Sequence, residues 1–208
     1  MKLLTKIITA LFTLIAASSL NAAMVTINNH SFENGANIPA VGDWNNNDPE
    51  DWIVDESGGQ IGMQADTVPD PNIDGAVFSF VQGDTSSLIQ EILTGPGSSV
   101  ATGGVFTLTV AAVNQNASPS FDFDIQDFGG NSLIGGPVTT AVAGGWTDYV
   151  AMGTVDTAGG TVQLVLNSNG PQIRLDNVRL DYVAPVPEPS STALLGLGGL
   201  ALILRRKK

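Results

Sequence analysis

Short segments in which apolar and polar residues alternate run through the middle of this chain, and double glycines separate them. The stretches VFTLTVAAV, FDFDI and TVQLVL each place every second residue on one apolar face, and in FDFDI this leaves Asp122 and Asp124 facing outward. A period of two is that of a half-buried β-strand, and the glycine pairs mark turns. Because no amphipathic helix accompanies these strands, the pattern predicts an all-β sandwich.

The last alternating segment, QIRLDNVRLDYV, changes its phase part-way along. Ile173 and Leu175 set one phase of alternation, whereas Val178 and Leu180 set the opposite one. A one-residue slip moves every following side chain to the other face of a sheet, unless a β-bulge absorbs the extra residue. The sequence therefore predicts a bulge at Asp176–Asn177 that re-aims the side chain of Asp176.

The first 23 residues have the plan of a secretory signal peptide. Lys2 and Lys6 supply a positive start, residues 7–17 form an apolar core, and Leu20–Ala23 ends in small residues that suit a cleavage site. A retained membrane helix is the alternative, but the apolar run is too short for one. Residues 1–23 are therefore predicted to be removed from the mature protein.

The other end of the chain, residues 184–208, has three parts in strict order. An apolar run from Ser190 to Leu204 is preceded by a Pro-Glu-Pro motif and followed directly by a basic terminus. As a helix this run would span roughly 22 Å, less than the roughly 30 Å hydrocarbon core of a bilayer. It is therefore a marginal membrane span, whose positive end would stay in the cytoplasm. The motif is Pro187, Glu188 and Pro189, and the basic terminus is Arg205, Arg206, Lys207 and Lys208.

This tail resembles the PEP-CTERM sorting signal of Gram-negative bacteria, because the motif, the apolar helix and the basic end stand in that family's order. The resemblance implies an exosortase as a processing partner, which recognises and removes the tail. It also implies a protein that is exported across the inner membrane and held there transiently by the tail. The processed form would then reach the cell surface or the extracellular matrix.

The span between the two ends, residues 24–183, is strongly acidic. Of the 20 acidic residues only Glu188 lies outside it, and of the 8 basic residues only Arg174 and Arg179 lie inside, which gives a net charge near −17. Such a surface excludes nucleic acid as a partner and suits divalent cations, cationic partners or neutral sugars, although solubility alone is an equally ordinary reason for it. Because the chain has no cysteine, its stability must come from a core or a bound metal.

Both ends of this span resemble the galactose-binding-like jelly roll of many carbohydrate-binding modules. The opening segment INNHSFENG contains Phe32 and Glu33, and the closing strand contains LDNV. Between them the likeness continues through Trp52, Gly75 before AVFSFV, the strands SLIQEI and VFTLTV, and the segment WTDYVAM. The resemblance implies a single jelly-roll β-sandwich over residues 24–183.

The same resemblance implies a structural calcium ion between the opening segment and the closing strand, where Glu33 and Asp176 occupy the matching positions. Calcium prefers several carboxylate and carbonyl oxygens gathered by irregular backbone. The alternative is that the two carboxylates only accept hydrogen bonds from loop amides. A second acidic stretch, residues 70–75, matches the start of an EF-hand loop, but Val81 stands where that loop needs glutamate, so an acidic turn is favoured.

The stretch GDWNNNDPEDW combines the residue types of a sugar site. An aromatic ring can lie under a pyranose ring while amides and carboxylates bond the hydroxyl groups. A polysaccharide ligand is therefore predicted to use this loop, although the tryptophan could equally cover one end of the sandwich. The candidate ligand-binding residues are Trp44, Asn45, Asn46, Asn47 and Asp48.

Catalytic motifs are scarce in this sequence. It has no cysteine, a single histidine, His30, and no G-x-S-x-G segment. A glycosidase needs only two carboxylates, and the many acids leave that reading open. The sequence favours an exported, non-catalytic protein that binds polysaccharide weakly, with a purely structural biofilm or matrix protein as the alternative and a glycoside-active enzyme as a less favoured third.

Overall fold

The structure, a computed structural model, describes residues 23–67, 70–93, 100–115 and 120–185. These residues contain twelve β-strands and no helix. The strands are β1 (Ala23–Val25), β2 (Trp44–Asn45), β3 (Ile53–Asp55), β4 (Gln60–Ala65), β5 (Val77–Gln82), β6 (Ser87–Leu93), β7 (Val105–Asn114), β8 (Ser120–Asp127), β9 (Val138–Ala141), β10 (Thr147–Thr154), β11 (Val162–Asn169) and β12 (Ile173–Val183).

The strands form two antiparallel sheets. The large sheet has the order β10-β7-β12-β5-β4-β2, and β1 pairs with β12 beside this path. The small sheet has the order β3-β6-β11-β8-β9. Neighbours in the large sheet come from distant parts of the chain, so β12 lies between β5 and β7. This arrangement brings the last strand, β12, into the middle of the sheet.

The core lies between the facing sides of the two sheets. Phe106 and Leu108 of β7 and Phe121 and Phe123 of β8 are fully buried, as the alternation predicted. Burying one such side chain contributes about 1.5–3 kcal/mol relative to leaving it exposed. The predicted all-β, jelly-roll β-sandwich is therefore confirmed. The predicted signal peptide covers residues 1–23, and of these the structure describes only Ala23, which begins β1. The predicted sorting helix lies outside the described residues.

The predicted β-bulge in the last strand is also confirmed. Asp176 pairs with Ala111 of β7, and the next pair is Arg179 with Thr109, so β12 carries one extra residue. Asn177 adopts a left-handed backbone with φ of 49°, and the side chain of Asp176 is fully buried. The bulge thus turns a carboxylate into the interior while keeping the apolar alternation on both sides of it.

The outward face of β8 differs from the expectation of two solvated acids. Asp122 is half-buried, but Asp124 is only 5 % exposed. Its carboxylate accepts hydrogen bonds from Ser132 Oγ at 2.7 Å and Gln126 Nε2 at 2.9 Å. The segment after β8 therefore covers Asp124 in a way that alternation alone does not reveal.

No helix within the described ranges is both long and apolar enough to cross a membrane.

Candidate functional site

Trp44 lies on β2, at the edge of the large sheet, and 61 % of its surface is exposed. Its ring meets Phe80 of β5 edge-on, with centroids 6.2 Å apart and planes at 75°. Phe80 itself is only 4 % exposed. The tryptophan is thus anchored against a buried ring, yet leaves most of its own surface available for a ligand.

A groove of about 150 Å³ lies beside this ring. Five of the chain's eight glutamines line it, and none of its lining residues is charged, although residues 24–183 contain 19 acids. Amide side chains offer both donors and acceptors, which matches the hydroxyl groups of a sugar. We call this feature the amide groove, and it is lined by Trp44, Gln60, Gln64, Phe80, Gln82, Gln115 and Gln172.

Strand alternation puts the groove on the outer face of the large sheet. Ile61 and Met63 of β4 are fully buried in the core, so Gln60 and Gln64 face outward. Between them, Gly62 allows a close approach, because a Cβ there would lie 2.7 Å from the ring of Phe80. A Cβ there would also lie 2.0 Å from the carbonyl oxygen of Asn45, so a larger residue would displace the backbone of β2 as well as Phe80.

The asparagines predicted to join Trp44 are arranged differently. Asn45 donates from Nδ2 to the carbonyl of Asn37 at 2.7 Å and accepts at Oδ1 from the amide of Asn47 at 3.1 Å. Asn45, Asn46, Asn47 and Asp48 do not line the amide groove, although the last three are exposed. Their contact with a ligand stays a prediction. The structure instead brings together glutamines that the sequence analysis missed. Gln60, Gln64 and Gln172 carried a signal, because each is a polar position next to a buried apolar residue of a strand.

A second group of aromatic side chains stands on the same sheet. Trp146, just before β10, packs on Phe78 with centroids 5.2 Å apart, and the guanidinium of Arg174 lies 5.0 Å from the centre of the Phe78 ring. Trp146 is half-buried. Trp52, in contrast, is buried against Phe32 at 5.5 Å and is a packing residue.

Glu33 and Asp176 both accept hydrogen bonds from backbone amides of the turn before β5. Glu33 Oε1 accepts hydrogen bonds from the amides of Ala76 and Val77, at 2.5 and 2.7 Å. Asp176 accepts from the amide of Asp74 at 2.8 Å. The two carboxylates therefore tie the opening segment and the closing strand to the turn before β5, and loop amides satisfy part of their bonding capacity.

Gly75 at the centre of this turn has no room for a side chain. Its φ is +98°, and a Cβ would lie 2.1 Å from Glu33 Oε1. Residues with a Cβ rarely adopt this backbone conformation. The glycine therefore allows the Glu33 carboxylate to reach the backbone amides behind it.

The buried carboxylate of Asp176 is held without a basic partner. Desolvation by burial raises the pKa of Asp176 to about 8, and the nearby charges of Asp74 and Glu33 add to the rise, while hydrogen bonds from the Asp74 and Asn177 amides oppose it. Among the described residues the salt bridges are His30 with Asp74 and Arg179 with Asp148. An ionised Asp176 would thus lack a compensating cation.

Side chains alone do not complete a metal centre here. Within the described ranges, no group of three or more histidine, cysteine, aspartate or glutamate side chains is arranged to hold a metal ion. A calcium ion bound by Glu33 and Asp176 would need further oxygen ligands from backbone carbonyls, which calcium accepts. The donor set fits a hard cation and does not fit zinc, which favours nitrogen and sulfur.

His30, the single histidine, belongs to this same region. Its Nε2 lies 3.3 Å from Asp74 Oδ2, and its backbone carbonyl accepts from the amide of Val178 at 2.9 Å. The histidine side chain is thus paired with an acid of the turn before β5. The acidic stretch at residues 70–75 is itself a turn, in which Asp70 accepts from the amide of Asn72 at 2.9 Å.

Comparison with known proteins adds information about the end of the chain. Residues 185–208 match the PEP-CTERM protein-sorting motif. The chain carries an exosortase sorting signal. This match confirms the resemblance that the tail suggested, and it makes the protein an exported one. Among curated proteins, none matches the sequence significantly.

Solved structures with the same fold include both an enzyme and a binding module. The Stig cyclase Fisc from Fischerella sp. TAU, in complex with (3Z)-3-(1-methyl-2-pyrrolidinylidene)-3H-indole, is 16 % identical, with 79 % of this chain and 100 % of that chain covered and a TM-score of 0.59. The CBM22-1 xylan-binding domain of Xyn10C from Paenibacillus barcinonensis is 14 % identical, with coverage of 82 % and 100 % and a TM-score of 0.50. At these identities the likeness supports the fold of this protein and not its activity.

Proposed function

We propose that this exported protein is a non-catalytic component of the cell surface or extracellular matrix that binds polysaccharide weakly through the amide groove. One observation carries the proposal: an anchored, exposed tryptophan stands beside five glutamines in a groove without charged lining residues. The ring suits the apolar face of a sugar, and the amides suit its hydroxyl groups. Weak binding follows from the small volume and open position of the groove.

Removing the Trp44 ring should abolish this binding while the fold stays intact. Trp44→Ala removes an exposed side chain, so the melting temperature should change little, whereas retention in affinity gels containing xylan, glucuronoxylan or gum arabic should be lost. The matched control is Phe128→Ala, because Phe128 is 57 % exposed on the turn after β8 and lies outside the amide groove. It should keep full retention.

Two outcomes would contradict this assignment. Equal retention of the Trp44→Ala and Phe128→Ala proteins would remove Trp44 from the site. A fall of many degrees in the melting temperature of Trp44→Ala would make this tryptophan a packing residue that covers Phe80. If the wild-type protein itself is retained by no polysaccharide, the alternative of a purely structural matrix protein without a small ligand is favoured.

The sorting tail should be absent from the mature protein, because its apolar run is short and follows the Pro-Glu-Pro motif. Mass spectrometry of the exported form should find a C-terminus near Glu188 and no peptide from Leu194 onward. A strain without its exosortase is the control, and it should retain the tail. Recovery of the intact basic end, Arg205 to Lys208, from the outer surface of wild-type cells would contradict the prediction.

We propose in addition that Glu33 and Asp176 hold a structural calcium ion. Support comes from their hydrogen bonds to amides of the same turn, the burial of Asp176 and the absence of a basic partner for it among the described residues. The ion would supply the positive charge that these carboxylates lack, and it would join the opening segment to the closing strand. The residues themselves position the turn through their hydrogen bonds to its amides.

A further inference from the structure

Arg174 lies on the same face of the large sheet as the amide groove. It pairs with Phe80 of β5, which lines the groove, and it follows by two positions Gln172, which also lines it. Side chains two positions apart in an extended chain point to the same side. Arg174 thus stands at the border of the groove, and it is one of the two basic residues in the span 24–183.

The two arginines of this span differ in their partners. Arg179 donates to Asp148 at 2.6 Å in an exposed salt bridge. Arg174 forms no salt bridge within the described residues, and its buried Nε atom has no hydrogen-bond partner there. A buried donor without a partner is rare in a folded protein and costs free energy.

The guanidinium of Arg174 is held in place by its stacking on Phe78 at 5.0 Å. Burial lowers the pKa of Arg174, and the charge of Asp66 partly opposes this fall. The group nevertheless stays positive at neutral pH, because arginine begins from a very high pKa. The Nε atom is buried, so a ligand would meet the terminal Nη groups of this planar cation, which are suited to bind a carboxylate through two parallel hydrogen bonds.

We infer that Arg174 binds the carboxylate of a uronic acid, so that the ligand of this face is a polysaccharide with sparse uronate groups on an otherwise neutral chain. The inference rests on the function proposed above. One cation beside five amide side chains matches a polysaccharide in which a few carboxylates stand among many hydroxyl groups. A uniformly anionic polymer fits poorly, since the net charge near −17 would repel it.

The test compares each uronate-bearing polysaccharide with its carboxyl-reduced form, which differs only in the charged group. Affinity gels with glucuronoxylan and with gum arabic, each in both forms, should retain the exported wild-type protein more strongly on the native form of at least one pair. Arg174→Gln should weaken retention on that native form about tenfold or more, the loss expected for a charge-assisted hydrogen bond. It should leave retention on the reduced form unchanged.

Two further variants separate the role of Arg174 from general charge and from folding. Arg179→Gln makes the same change in net charge at an arginine that already has a partner. The native polysaccharide should therefore retain this variant as strongly as the wild type. Arg174→Lys keeps the charge but loses the planar guanidinium group. Its retention on the native polysaccharide should therefore lie between those of the wild type and Arg174→Gln. Unchanged retention of Arg174→Gln on the reduced polymers would show that this variant is folded.

Each result decides a different claim. Equal retention of wild type on native and reduced forms, or equal losses from Arg174→Gln and Arg179→Gln, would overturn the role of Arg174 and leave the polysaccharide proposal standing. If neither the native nor the reduced polysaccharide retains Arg174→Gln, Arg174 is a packing residue on Phe78. Absence of wild-type retention on every polymer would overturn the proposed function together with this inference.

Discussion

In a calcium chelator, the free energy of unfolding of the wild-type protein should fall by several kcal/mol more than that of Asp176→Asn between pH 4 and pH 8. The pKa of Asp176 is raised to about 8 in the folded protein, mainly by burial, from an ordinary value of 3.8. Well below pH 3.8 Asp176 is protonated in both the folded and the unfolded state, and its contribution to stability is fully present. As the pH rises towards 8 the unfolded state releases its proton first, so stability is lost.

The asparagine variant isolates this contribution, because its amide resembles the protonated acid at every pH. Glu33 and Asp74 beside Asp176, and His30 beside Asp74, are the same in both proteins, so the difference between the two curves reports Asp176. At pH 8 without calcium, Asp176→Asn should be the more stable protein. Asp181→Asn on the same strand is the control and should follow the wild-type curve. Parallel curves for wild type and Asp176→Asn would contradict the raised pKa.

Calcium should narrow this difference at pH 8. An ion that binds only the folded state stabilises it by about 2.7 kcal/mol at 100 times its dissociation constant. For a domain of this size that amounts to several degrees of melting temperature. The gain should disappear in Asp176→Asn, since a neutral amide is a weaker ligand of a hard cation, and it should shrink at pH 5, where the ion must displace a proton from Asp176.

Magnesium at equal ionic strength is the necessary control, because screening of the strongly negative chain could imitate part of the effect. Asp181→Asn should respond to calcium as the wild type does. Equal stabilisation by the two cations, or a full calcium response in Asp176→Asn, would show that Glu33 and Asp176 do not hold the ion. Differential scanning calorimetry in matched buffers measures all of these quantities.

The fold could be predicted from the sequence because local patterns and burial agree along most strands. Phe121 and Phe123 alternate with acids, and both are buried as their spacing indicates. The phase slip near Asp176 located the bulge within one residue, since only an inserted residue keeps both halves of β12 facing the core. Asp124 shows the limit of this reasoning, because its cover comes from Ser132 of another segment.

The candidate site was predictable only in part. Trp44 carried a local signal as an aromatic residue in a polar loop. Glu33 and Asp176 were predicted through the resemblance at the two ends of the span 24–183. The groove depends on residues as distant as Gln60 and Gln172, which the strand order brings to one face. Strand order follows from long-range pairing that no local pattern specifies. For that reason the asparagines that follow Trp44 in the sequence were predicted to bind the ligand, whereas the glutamines, which lie far apart in the sequence, were not.

The amide groove can be tested most directly by nuclear magnetic resonance of the labelled exported protein. Oligosaccharides cut from the polysaccharide that retains the protein best would be added while the side-chain signals of tryptophan and glutamine are followed. The account predicts shifts at the indole of Trp44 and at the amides of the five groove glutamines. The other three glutamines, Gln90, Gln126 and Gln163, lie outside the groove and should stay unchanged. Shifts confined to those three, or an unchanged Trp44 signal at saturating ligand, would contradict it.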